Sequence, residues 1–110
     1  MTKNAENNKC PLNITLGLIG GKYKTIILWY LYSNKIMRFS ELQKMISKIT
    51  PKMLIQQLKQ LEADSLITRT VYPVVPPKVE YSLTDLGKTI IPILESMNDW
   101  GKKYIDTVKK

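Results

Sequence analysis

SELQKMISKITPKMLIQQLKQLEAD, residues 40–64, decides how this chain folds. Ser40-Glu41-Leu42-Gln43 fits a capping box, in which the Ser hydroxyl and the Gln side chain satisfy each other's free backbone donors. Phe39, just before it, is placed to act as a hydrophobic staple. The helix that follows is short and runs to about Ile46. Ser47-Lys48-Ile49 reads as a tight break. Thr50 then supplies an N-cap and Pro51 a first-turn residue for a second helix reaching about Asp64. At 100° per residue, Leu54, Ile55, Leu58, Leu61 and Glu62 fall on one side of it. Lys52, Gln56, Lys59, Gln60 and Ala63 fall on the other, so the outward side is basic, rich in amides and free of acids. Two such helices across a tight turn are a helix-turn-helix candidate. Taken alone, the pattern favours two ordinary amphipathic helices; the hairpin and the charge distribution turn it toward the helix-turn-helix.

Reading outward in both directions adds the rest of the fold. Upstream, Cys10-Pro11 and LNITLGLIGG read as a short apolar helix started by Pro11 and ended by Gly20-Gly21. KYKTIILWYLYSNK (residues 22–35) is a second helix, with Ile27, Leu28 and Leu31 on its apolar side and Ser33-Asn34 closing it. Downstream, Ile67–Tyr72 alternates and is β-branched, which predicts a strand. Pro73-Val74-Val75-Pro76-Pro77 cannot continue a sheet interior and must be a loop stiffened by prolines. Lys78–Leu83 returns as the second strand of a hairpin. Thr84 caps a last long helix to about Val108, which Pro92 should kink or split. The expected fold class is mainly α with a small β-hairpin wing. One domain spans residues 10–110, preceded by a flexible polar arm over residues 1–9.

The charge is unevenly placed. The chain carries +8 over 110 residues. Between Lys22 and Gln60 eight bases (Lys22, Lys24, Lys35, Arg38, Lys44, Lys48, Lys52, Lys59) face one acid, Glu41. Residues 61–110 sum to zero. A positive footprint confined to one stretch suits a polyanion, although charge alone also suits a solvated surface. No apolar run approaches the roughly 20 residues of a membrane span, and the N-terminus lacks the apolar middle of a signal peptide. One cysteine cannot form an internal disulfide, in keeping with a reducing, cytoplasmic setting. The chain has no His, a lone Cys and scattered carboxylates. That leaves no ligand set with metal spacing and no usual general base, and Gly20-Gly21 is too little for a phosphate loop. The expectation is a protein that is not an enzyme and holds neither metal nor cofactor.

Four constellations carry the functional reading. In a helix-turn-helix the second helix enters the major groove, and its N-terminal residues touch base edges. Here those are Thr50, Pro51, Lys52, Met53, Gln56 and Gln57, with Lys59 and Gln60 further along the same helix. Gln can pair with adenine, and Lys with guanine or phosphate; the helix N-terminus favours a phosphate near Thr50. Arg38, Ser40 and Lys48 flank this surface. The second constellation is the hairpin, where Arg69, Pro76, Pro77 and Lys78 are placed to touch a neighbouring groove or backbone; the alternative is a turn that only closes the sheet. The third is the last helix, which carries two apolar stripes. One is Leu86, Ile90, Ile93, Met97, Trp100 and Tyr104, and the other is Ile91, Leu94, Gly101, Ile105 and Val108. One small core does not need both. The spare surface, with Leu12, Ile14, Leu16 and Ile19 of the first helix, suggests a partner subunit. The alternative is a wide core face. The expected interface is Leu12, Leu16, Ile90, Ile93, Leu94, Met97, Trp100 and Tyr104. The fourth is Cys10, at a helix start and beside Lys9, a setting that suits a reactive thiol sensing oxidants or electrophiles. Composition alone favours the alternative, an inert small residue under a subunit contact.

From Cys10 to about Gly101 the chain resembles the HxlR-type winged helix-turn-helix regulators, relatives of the MarR group. The resemblance rests on Cys10-Pro11, LIGGKYK (18–24), RFSEL (38–42), ITPKML (49–54), QQLKQLEADSLITR (56–69), VPPKVEYSLTDLG (75–87) and the Pro92…Trp100-Gly101 ending. It implies a bacterial, nucleoid-associated, cytoplasmic regulator that binds a double-stranded pseudo-palindromic operator as a homodimer, with repression the expected sign. The dimer would be built from the first and last helices. In some members the cysteine matching Cys10 senses oxidants or electrophiles. Two departures stand out: Tyr23 where the family usually has Trp, and Ser65 where it usually has Gly. With one Cys per chain, only a Cys10–Cys10 bridge or a mixed disulfide is available. The rival readings are a winged-helix module that binds another protein, and an architectural DNA binder without sequence preference.

Overall fold

The computed structural model describes residues 10–109; the arm expected over residues 1–9 lies outside them. In chain order the elements are α1 (Pro11–Ile19), α2 (Lys24–Asn34), β1 (Ile36–Met37), α3 (Phe39–Met45), α4 (Pro51–Ala63), β2 (Ile67–Tyr72), β3 (Lys78–Leu83), α5 (Asp85–Lys88) and α6 (Ile91–Val108). The core is a helical layer closed against a small sheet. Ile27, Leu28 and Leu31 of α2 meet Leu54, Leu58 and Leu61 of α4, with Ile67, Tyr81 and Leu83 from the strands. Each such burial removes apolar surface from water and stabilises the fold by about 1.5–3 kcal/mol before conformational entropy is subtracted.

Both hairpin strands keep their expected bounds, and they pair from Ile67 opposite Leu83 to Tyr72 opposite Lys78. A third strand does not appear in the sequence reading. β1 pairs antiparallel with β3, Ile36 opposite Ser82 and Met37 opposite Tyr81, giving the order β1-β3-β2. Two residues are too few to show a period. This strand exists because β3 offers it an edge, and because Met37 can bury its side chain there.

β1 also moves the start of α3. With Met37 held in the sheet, the helix begins directly after it, at Phe39, with Arg38 as N-cap. Ser40 is therefore inside the first turn and is not the cap. The backbone donor at the helix start is satisfied by Glu41, whose Oε1 accepts from the Arg38 N–H at 2.7 Å. Gln43, freed from capping, turns into the break instead: its Nε2 donates to the Ile49 carbonyl and so ties the turn closed.

α4 begins and ends by identifiable chemistry. Thr50 Oγ1 accepts from the Met53 N–H at 3.1 Å, and Pro51 occupies the first turn, where its missing donor is harmless. At the far end Ser65 takes φ 64°, a left-handed conformation unusual for a residue with a Cβ. This lets the Leu66 N–H reach the Leu61 carbonyl and the Ser65 N–H reach the Glu62 carbonyl, each at 3.0 Å. These two bonds make the Schellman closure that glycine usually provides.

Pro92 splits the last helix. Its ring cannot follow the carbonyl four residues back, that of Lys88, so α5 stops at Lys88 and α6 starts afresh with Pro92 in its first turn. Thr84 caps the short α5 through the Gly87 N–H at 2.9 Å. Of the 18 residues of α6, only Ile91 and Leu94 are buried. In α1 only Ile19 is. The radius of gyration is 16.0 Å, against roughly 13 Å for a compact domain of about 100 residues. The chain leaves part of its apolar surface outside its own core.

Candidate nucleic-acid interface

The surface begins at the turn between α3 and α4. Burial of Leu42, Ile46 and Ile49 pins the turn to the core, and the Gln43 tie fixes its inner side. α4 then rests on the core through Leu54, Leu58 and Leu61, one residue per turn. That seating rotates Lys52, Met53, Gln56, Lys59 and Gln60 outward, all exposed, together with Thr50 and Pro51 at the helix start. Gln57 is half-buried, so it lies at the edge of this face. Ile55, placed on the apolar side by periodicity, is exposed. The core takes a narrower stripe of α4 than the sequence offers.

The one acid on α4, Glu62, lies in its last turn. It lines a cleft of about 460 Å³ between α4 and the hairpin, shared with Ile55, Lys59, Arg69 and Tyr81. Arg69 on β2 and Lys59 on α4 thus line one cleft with Glu62, two bases and one acid between the helix and the wing. The outward face from Thr50 to Gln60 carries no carboxylate. Arg38, Ser40, Lys44 and Lys48 are exposed beside it.

Lys24, of the charge footprint, and Lys78, of the hairpin, stand apart from this surface. Lys24 is buried, only 7% exposed, in the first turn of α2; it cannot serve as a phosphate contact of the kind the charge pattern suggested. Lys78 is held where the wing loop enters β3. Its Nζ lies 3.3 Å from Glu80 Oε2 and 5.0 Å from the centroid of the Tyr72 ring. The wing tip itself is uncharged. Val74, Pro76 and Pro77 are exposed, and Val75 is 99% exposed. What the wing offers outward is therefore a stiff apolar loop, with Arg69 the cation nearest the cleft.

The apolar face expected to meet a partner is largely where periodicity put it. Leu12 (66% exposed), Ile14 and Leu16 on α1, and Ile93, Met97, Trp100 (65% exposed) and Tyr104 on α6 are all open. Trp100 stacks on Tyr104, ring centroids 5.4 Å apart, in the manner of an i, i+4 pair. Ile105 and Val108 extend the face. Leu94 departs from the expected set: it is buried in the chain's own core, and Ile90 is half-buried against that core. Cys10 is exposed, with a free thiol, at the N-cap of α1. Among the described residues no cluster of His, Cys, Asp or Glu could hold a metal ion, and no helix is long and apolar enough to cross a membrane.

Comparison with known proteins places this geometry. The model of the HxlR-like helix-turn-helix family matches residues 18–109. An uncharacterized HTH-type transcriptional regulator, YdeP of Bacillus subtilis strain 168, is 52% identical over 101 residues, spanning 92% of this chain and 78% of that protein. The solved structure of the redox regulator HypR in its reduced form superposes with a TM-score of 0.85 at 43% identity, covering 90% of this chain and 97% of that one. The oxidised form of HypR gives a TM-score of 0.80 at 46% identity, covering 86% and 96%.

Proposed function

This chain belongs to the HxlR-like helix-turn-helix family, and from that premise we propose that it controls transcription as a homodimer that places two α4 helices in successive major grooves of a pseudo-palindromic operator. The observation that carries the reading is the outward face of α4: basic and amide-bearing from Thr50 to Gln60, without a carboxylate, and uncovered by the rest of the protomer. An acid there would be repelled by phosphate, and a module built to bind another protein has no need to exclude one. In this reading Gln56 and Lys52 contact base edges, while Arg38, Lys44 and Lys48 hold phosphates, and Arg69 and the wing tip flank the helix. The second subunit covers α1 and the exposed stripe of α6. Two-fold symmetry then sets the α4 helices about 34 Å apart, one turn of duplex.

A response to oxidants is the second part of the proposal. It is supported by the likeness to a redox regulator and by the exposed thiol of Cys10 at the N-cap of α1, next to the helix that carries part of the proposed subunit contact. Oxidation there would join two chains through Cys10–Cys10 or attach a small thiol.

A gel-shift assay with duplex from upstream of the protein's own gene, beside random duplex of equal length, tests the main reading. The expected result is a preference of at least about a thousand-fold for one site. Equal retardation of both would mark an architectural binder. No retardation of either would mark a module that binds protein.

A further inference from the structure

We propose that the recess between the end of α2, strand β1 and the β3–α5 junction binds a small organic anion: a carboxylate on an apolar body, with the carboxylate held by Lys35 and Lys88. The recess encloses about 470 Å³, within the range of roughly 300–1,000 Å³ usual for small-molecule sites. Its floor is Leu31 and Leu83, both buried, and its walls are Tyr32 and Ile36, both exposed. Two cations sit on its lining and no acid does. Among the described residues Lys35 has no ion-pair partner, and Lys88 has only Asp85 at 3.9 Å, both side chains well exposed. These charges are available to a ligand.

The backbone supports the same reading. Lys35 takes φ 67° and ψ −55°, a region that strains any residue with a Cβ and that glycine would enter freely. Strain of this kind gathers at ligand clamps, where a side chain must be presented in one place. Here it turns an amine-bearing residue onto the recess, between α2 and the first residue of β1. The lining chemistry narrows the ligand. A bare phosphate would leave four apolar side chains wet, and a neutral apolar molecule would leave two ammonium groups without a partner. A monoanion with an apolar body satisfies both halves.

None of the lining residues belongs to α3 or α4, so binding is measurable without DNA and stands apart from the operator reading. The test is calorimetric titration of the full chain with 1-naphthoate, with its neutral amide and with inorganic phosphate. The expected result is one saturable site per chain for 1-naphthoate, with the amide and phosphate at least about ten-fold weaker. Lys35→Met and Lys88→Met each keep the stem and remove the charge, and each should weaken 1-naphthoate about ten-fold. In the parent protein, methyl resonances of Leu31, Ile36 and Leu83 should shift on titration. Absence of saturable binding, equal binding of acid and amide, or shifts confined to α1 and α6 would overturn the proposal.

Discussion

The Thr84 hydroxyl donates to the Ser65 carbonyl at 2.7 Å while accepting from the Gly87 N–H at 2.9 Å. One side chain thus links the end of α4 to the start of α5, across the base of the hairpin. A Cβ on Gly87 would lie 2.1 Å from the Leu66 carbonyl oxygen, so the two segments meet at the closest approach a backbone allows. The orientation of the wing relative to α4 is set at this junction, some distance from any surface that would touch DNA.

Ser65→Gly should stabilise the protein. The left-handed conformation of Ser65 costs about 1–2 kcal/mol that glycine does not incur, offset in part by the greater freedom of glycine in the unfolded chain. A net gain of about 0.5–1 kcal/mol and a rise of a few degrees in Tm are expected. Thr84→Ala should lose about 1–2 kcal/mol, because it strands a capped donor and an acceptor together. Thermal unfolding of the two variants beside the parent checks both signs.

Base reading and phosphate holding should separate by mutation. Gln56→Ala is expected to weaken operator binding about ten-fold or more and random-duplex binding little. Lys48→Ala should weaken both and flatten the slope of log affinity against log salt by about one. Lys24→Met, which alters a buried residue, should leave that slope unchanged. Equal loss on both duplexes for Gln56→Ala would remove it from the base-reading role.

Met97→Glu places a charge in the middle of the open α6 stripe and none in the core. The expected outcome is a monomer in sedimentation equilibrium with the parent's thermal unfolding signature broadened or lowered, and operator affinity reduced by about a hundred-fold or more through loss of the second half-site. A variant that remains a dimer would move the subunit contact elsewhere.

Cys10→Ser should leave operator binding of the reduced protein intact and abolish any change on treatment with diamide or hypochlorite. A response of unchanged size in that variant would end the thiol reading.

How far the sequence carried can be told from particular residues. Thr50-Pro51 marks the start of α4 because its signal is local: a hydroxyl and an imino ring act on the backbone within three residues. The hairpin was legible for the same reason, since β-branched alternation and the proline loop are written side by side. β1 was not, because Ile36 finds its partner Ser82 far along the chain, and a two-residue strand has no pattern of its own. The cap of α3 lies at Arg38 and not at Ser40 for that cause: once Met37 is anchored, the helix must start at Phe39, whatever Ser40 and Gln43 could have done. On the candidate surface, the acid-free side of α4 followed from a 100° rotation. Lys24 and Leu94 did not, because charge counts and stripes say what a residue is, while burial depends on which neighbouring element reaches it. The left-handed Ser65 was foreseeable from the expected glycine position, and the structure keeps that closure with serine.

Selection of bound sequences from a pool of random duplexes by the purified protein tests the central claim most directly. The account predicts enrichment of one two-fold symmetric site whose half-sites are centred about 10–10.5 base pairs apart, or a multiple of that. A pool that stays random after repeated rounds, or a single enriched half-site without its symmetric mate, would contradict it.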